Sequence, residues 1–207
     1  MNTTLLFAEL LIIGLQAGIW VFLLALNIFG VTWINQVQQT GLSDWQTIIV
    51  AILLSVFYVL GIIVDRLADA AFVLWNKKIT KSIIPDPPLP IVTMRFEAGK
   101  DNEYLNRQFE YTRSRMRISR ASSFNFAIST ILTGVFIFAR LPNVANPDKW
   151  GLFSAALIFG LFLTISSVYT WHRLTRTYLL LVKSTYAVYL EEKKESLKKK
   201  KASKLGD

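Results

Sequence analysis

The chain contains no cysteine and a single histidine, His172. The first absence excludes disulfides, thiolate nucleophiles and thiolate metal sites, and it removes any sign of the redox state of the compartment. The second leaves a transition metal only carboxylates and one imidazole, so metalloenzyme chemistry has little to work with. Charge is scarce as well. Only 18% of the 207 residues are Asp, Glu, Lys or Arg, against about 25% in soluble domains. No glycine-rich phosphate loop, nucleophile signature or internal repeat is evident, so the expectation is a protein without a cofactor and without catalysis of its own.

Apolar residues fill the space that charge leaves. They make up 53% of the chain, and the mean hydropathy of +0.40 places it among integral membrane proteins. Crossing ~30 Å of hydrocarbon takes about 20 apolar residues in a helix. Four runs meet that requirement: Leu5 to Val31, Thr47 to Val64, Ala121 to Ala139 and Gly151 to Trp171. The first lacks a basic leader and a small-residue cleavage site, so it reads as a retained span.

Basic residues are partitioned between the connections. None lies from Thr32 to Gln46, ten lie from Trp75 to Arg120, two flank the loop from Arg140 to Trp150, and ten follow Trp171. The positive-inside rule then puts both termini and the middle segment in the cytoplasm, as expected for a prokaryotic inner-membrane protein. Asp44-Trp45 and the stretch from Leu141 through Asn146-Pro147-Asp148 read as short external turns. Trp33, Trp45, Trp75, Trp150 and Trp171 read as interfacial anchors.

The helices should continue past the bilayer. No breaker follows Val64 until Pro85, and none interrupts 102–140 or 151–200. The expected architecture is therefore all-α: span 1 at 1–31, span 2 with a cytoplasmic extension at 47–84, a cytoplasmic helix running into span 3 at 102–140, and span 4 running into a basic helix at 151–200. These extensions would form a cytoplasmic stalk, with 201–207 as a flexible tail. Between them, 85–101 reads as a proline-rich connector. In it Ile91 to Phe96 alternates like a short strand, and Gly99-Lys100-Asp101 forms a turn and N-cap. Tyr178, Leu181, Val182, Tyr186, Tyr189 and Leu190 recur at spacings near three and four, an apolar face that requires a partner helix in the same chain or another copy.

Several polar patterns are candidate sites. Glu9, Gln16 and Asn27 fall within about 20° of one another on the first span, and Ser122, Ser129, Thr133 and Arg140 line up on the third. Such stripes either glue helices together or line a hydrated conduit. Glu9 needs a counter-charge, and Arg66, at a compatible depth, is the expected one. Asp65, Arg66 and Asp69 mark the inner end of the second span, where salt bridging competes with cation binding or lipid chemistry at the two aspartates. Arg113, Arg117 and Arg120 share one face before the third span and suit anionic headgroups more readily than a soluble phosphorylated ligand. His172 is a minor candidate for a pH switch. The lysine block at 193–201 lacks interleaved aromatics, which argues against nucleic acid and for loose contact with acidic lipid.

Two functional expectations follow. One is a homo-oligomer or membrane-complex subunit that conducts ions or perturbs the membrane in a regulated way. The other is an anchor or scaffold recruiting a cytoplasmic partner, as in a bacterial stress or defence system.

Overall fold

The computed structural model describes residues 3–31, 46–100, 102–141 and 144–204, apart from the side chains of 3, 5 and 200–204. It contains helices α1 (Thr3–Phe29), α2 (Gln46–Ile83), α3 (Ile91–Gly99), α4 (Glu103–Arg140) and α5 (Asn146–Lys204), and no strand among the described residues. α1, α2, α4 and α5 are each long and apolar enough to cross a membrane. Expectations concerning Trp33, Asp44, Trp45, Asp101, Pro142, Asn143 and 205–207 fall outside the described residues.

The chain divides into two compact units, Met1–Phe72 with Met116–Trp171, and Val73–Arg115 with His172–Asp207. The divisions fall close to the points where the apolar runs give way to charged sequence. In the first unit the interior is built from small side chains: Ala17, Ala68 and Ala121 join Ile13 and Val64, with Trp20, Leu60 and Phe124 packed around them. Large apolar residues point outward instead, among them Ile158 at 70% exposed and Phe159 and Phe162 at 64%. That inversion is stable only in an apolar solvent, where backbone helices satisfy their own hydrogen bonds and close contact between small residues replaces hydrophobic burial as the packing force.

In the second unit the arrangement is conventional. Met94, Phe109, Val182 and Tyr186 form a buried core, flanked by Ile91, Ala98, Leu105, Tyr178, Leu181, Tyr189 and Leu190. Burial of each large apolar side chain there is worth ~1.5 to 3 kcal/mol. Lys183 donates its Nζ hydrogen to the Ile83 carbonyl at 3.1 Å, satisfying an acceptor in the last turn of α2.

Four local expectations are corrected. Ile91 to Phe96 is helical and belongs to α3. Pro90, with φ −52° and ψ 139°, stands at its N-cap, and the residues that pack inward are Ile91, Met94 and Ala98, a three-and-four spacing. Val92 and Phe96, which alternation would have put beside Met94, are 73% and 64% exposed. Asn146-Pro147-Asp148 is the first turn of α5, since a proline in the first turn lacks only a donor that the helix leaves unused there. Residues 201–204 continue α5 rather than opening a flexible tail. Trp171 is 2% exposed and meets Phe72 edge-on at 4.7 Å, so it is an interior residue and not an interfacial anchor.

Candidate functional site

The two polar stripes belong to one seam. Along it α1 and α4 run parallel, and their polar groups meet in chain order. Ser122 Oγ donates to Gln16 Oε1 at 2.9 Å. Trp20 Nε1 donates to Asn125 Oδ1 at 2.9 Å, while Asn125 Nδ2 donates to the Ile13 carbonyl at 3.2 Å. Further along, Asn27 Nδ2 reaches the Leu132 carbonyl at 3.1 Å, although its buried Oδ1 accepts no hydrogen bond. Ser129 and Thr133 take another course. They lie half-buried, and the Thr133 hydroxyl donates to the Ser129 carbonyl within α4.

The seam is closed at one end by Arg140. Its Nε donates to the Asn27 carbonyl at 2.8 Å and its Nη2 to the Ile28 carbonyl at 2.7 Å. These are carbonyls left open at the C-terminus of α1, where a cation also complements the helix dipole. Gly30, at φ +76°, completes the cap with its N–H on the Leu26 carbonyl at 2.9 Å. Left-handed backbone of this kind favours glycine.

At the other end five charges converge from three helices. Arg117 of α4 places Nη1 3.4 Å from Glu9 Oε2 and Nη2 2.9 Å from Asp65 Oδ2. Arg120 places Nη2 3.2 Å from Asp65 Oδ1 and pairs with Asp69 through Nη1. Asp65 is thus the hub that accepts from both guanidinium groups, and it is buried, as is Glu9. The Arg120 Nε is buried with no hydrogen-bond partner. Arg66, the expected partner of Glu9, is exposed instead. One residue along a helix is a 100° rotation, so with Asp65 on the inward face beside Val64 and Ala68, Arg66 must turn away. The spacing of Arg113, Arg117 and Arg120 had suggested a shared surface for headgroups. Two of the three spend their guanidinium groups inside this network, and Arg113 sits 3.7 Å from Glu110 in the second unit.

A feature overlooked in the sequence explains how α1 and α2 come so close. Gly14-x-x-x-Gly18 is a small-residue repeat of the kind that lets helix backbones touch. A Cβ on Gly14 would overlap the Phe57 carbonyl, one on Gly18 would meet the Phe57 ring, and one on Gly61 would overlap the Leu10 carbonyl. Trp20 and Asn125 were likewise missed. Trp20 lies within about 20° of Glu9 and Asn27, but its largely apolar ring conceals its single donor from a reading of polar stripes, and Asn125 lies about 60° off the line of Ser122 and Arg140.

In the second unit, Tyr178, Leu181, Val182, Tyr186 and Tyr189 pack against α3 and α4 of the same chain. Tyr189 donates its hydroxyl to Glu97 Oε2 at 2.6 Å. That bond to a carboxylate raises the phenol above its usual 10.0. A raised value favours the neutral form, so this contribution to stability holds at neutral pH and is lost as pH climbs through the folded-state value. His172 is partly exposed. Among the described residues, no three acidic or histidine side chains gather as metal ligands.

Two concavities among the described residues differ in character. Thr130, Gly134, Val135, Phe138, Phe153 and Leu157 border an apolar groove of about 700 Å³ between α4 and α5. In the second unit Glu97, Asn102, Leu105, Ser184, Val188 and Glu192 border a more polar cleft of about 450 Å³. No family model, no curated protein and no solved structure matches the chain.

Proposed function

We propose that the chain is a non-enzymatic membrane anchor and scaffold, its four spans inserted with both termini in the cytoplasm and its polar helical segments held there for a partner. The observation that carries this reading is the α1–α4 seam. Polar side chains along it are engaged within one chain: Gln16 with Ser122, Trp20 with Asn125, Asn27 Nδ2 with a backbone carbonyl, Glu9 with Arg117. Polar groups paired across helices hold a bundle in one arrangement and leave little for water or ions.

A second reading, a regulated conducting or membrane-perturbing assembly, draws support from the charge network. Ionisable residues within or beside spans mark ion or proton paths by default, and Glu9, Asp65, Asp69, Arg117 and Arg120 outnumber what a simple latch needs. The purified protein in liposomes under an imposed ion gradient separates the two. The scaffold reading expects no flux from the wild-type protein, together with a lower melting temperature for Gln16→Leu. Flux from the wild-type protein that Glu9→Gln alters would replace scaffolding by conduction.

A further inference from the structure

The apolar groove between α4 and α5 lies wholly within the first unit, where its walls meet at defined points. At one end Gly160 lies so close to α4 that an added Cβ would overlap the Thr130 hydroxyl, and midway a Cβ on Gly134 would meet the Phe153 ring. At the other end the Phe138 and Phe153 rings lie 5.3 Å apart, and Trp150 meets Phe138 edge-on at 5.1 Å. Thr130 supplies the one polar side chain among the described lining residues, and its hydroxyl is spent on the Phe126 carbonyl at 2.7 Å. Water entering the groove finds no partners there.

Dimensions decide what can fill it. The stretch from Thr130 to Ala139 is about 14 Å long, and the groove ends near Ala139, where the apolar run of α4 ends. That length is close to half of the ~30 Å hydrocarbon core, one leaflet deep. Spread over it, 700 Å³ gives a cross-section of ~50 Å², roughly 7 Å across. A helix with its side chains measures about 10 to 12 Å, so a second copy cannot lay a span into the groove. Hydrocarbon chains can enter, since their carbons pack about 3.5 to 4.0 Å from their neighbours. Ile131 and Val135, 65% and 49% exposed, leave the long side open to the bilayer.

We propose that the groove holds an acyl chain of one glycerophospholipid as a fixed ligand, with the lipid phosphate at Lys149, in the leaflet on the side of the 141–150 connection. Lys149 is half-buried and precedes Phe153 by four residues, on the same face of α5. Trp150, 59% exposed, brings an indole N–H to the headgroup boundary that such rings favour. Asp148 is rotated about 100° from Lys149, and Arg140 is directed to the carbonyls of α1, so Lys149 is the cation on the groove's own face. It starts about 6 Å beyond Phe153 and its stem reaches further outward. That distance accommodates the glycerol esters between chain and phosphate, whereas a free fatty acid would end its carboxylate short of the ammonium. The site goes beyond the scaffold reading and holds whether or not the protein conducts.

The test reconstitutes the full chain in bilayers of phosphatidylethanolamine and phosphatidylglycerol, doped with phosphatidylglycerol that carries a photoactivatable diazirine in one acyl chain. After irradiation and digestion, adducts should concentrate on 130–139 and on Phe153 and Leu157, several-fold above Ile158, Phe159 and Phe162, which are exposed outside the groove. Val135→Trp, a large ring at an exposed position of the rim, should remove that excess, and Phe159→Trp should keep it. If the Val135→Trp protein does not accumulate, the wild-type adduct map decides by itself. Lys149→Gln should weaken retention of the probe about five-fold, the factor that one basic residue near the surface confers on an anionic headgroup. Even labelling of every outward face would overturn the proposal, leaving only the bilayer as solvent, and so would a groove shielded from the probe and cross-linked to a second copy. Retention unchanged by Lys149→Gln, with the probe displaced by free oleate, would overturn the phospholipid as occupant. Adduct maps and ion flux are separate readings, so failure here leaves the liposome result untouched.

Discussion

Glu9 and Asp65 are buried carboxylates, and each depends on a guanidinium that arrives from more than fifty residues away in sequence. Removing one partner of a buried ion pair costs about 3 to 5 kcal/mol, because the other charge is left unpaired out of water. Arg117 faces two such carboxylates and is about a quarter exposed, so Arg117→Ala should lie near the lower end of that range. Arg66→Ala should change stability by no more than ~0.5 kcal/mol, as surface substitutions do. Thermal unfolding of the two variants in one detergent checks the contrast, and equal losses would show that the network is not what holds the three helices together. Asp65 makes a related point. As the acceptor for both Arg117 and Arg120, it should show non-additive effects with each of them in double-mutant cycles.

Among the elements, α1 is held on two sides by different physics. Towards α2 the contact is backbone against backbone, allowed by Gly14 and Gly61 and floored at Gly18 by the Phe57 ring. Towards α4 it is a line of hydrogen bonds. Overpacking an interior costs about 1 to 3 kcal/mol where neighbours can shift, but here the obstacle is a carbonyl group in a neighbouring helix, which cannot move alone. Gly14→Val should therefore separate α1 from α2 and lower accumulation or melting temperature more than Gly151→Val, whose added Cβ would meet nothing within 4 Å. Comparable behaviour of the two would mean that the crossing tolerates a side chain. α3 teaches a similar lesson about short elements. Nine residues carry too little periodicity to declare a helix, and Met94, 3% exposed against Phe109 and Val182, settles the matter by packing.

For the molecule as a whole, charge asymmetry makes the sharpest forecast. Twenty of the twenty-three basic residues lie in the segments from Trp75 to Arg120 and beyond Trp171, and the energetic bias against translocating such segments sets the orientation. In a chain without native cysteine, Ser196→Cys and Lys149→Cys can each report sidedness to a membrane-impermeant thiol reagent. Intact cells should label position 149 and spare 196, and inverted vesicles should do the reverse. Labelling of position 196 from outside would overturn the topology and with it the proposed cytoplasmic scaffold.

The sequence by itself determined the solvent, the number of helical spans and the long extents of α2, α4 and α5. Each of these depends on local quantities: the length of an apolar run, the absence of breakers, a proline cluster that must stop a helix. The polar stripes were legible for the same reason, because residues such as Gln16 and Ser122 recur at the period of one helix. Only the tertiary structure decided which stripe faced which, since periodicity describes one helix and carries no record of its neighbour's rotation. It therefore assigned Arg117 rather than Arg66 to Glu9, brought Trp20 to Asn125 across 105 residues, and turned Trp171 inward. It also made the strand-like run after Pro90 a helix, because burial against a three-helix core rewards a spacing of three and four where alternation alone would have favoured a strand.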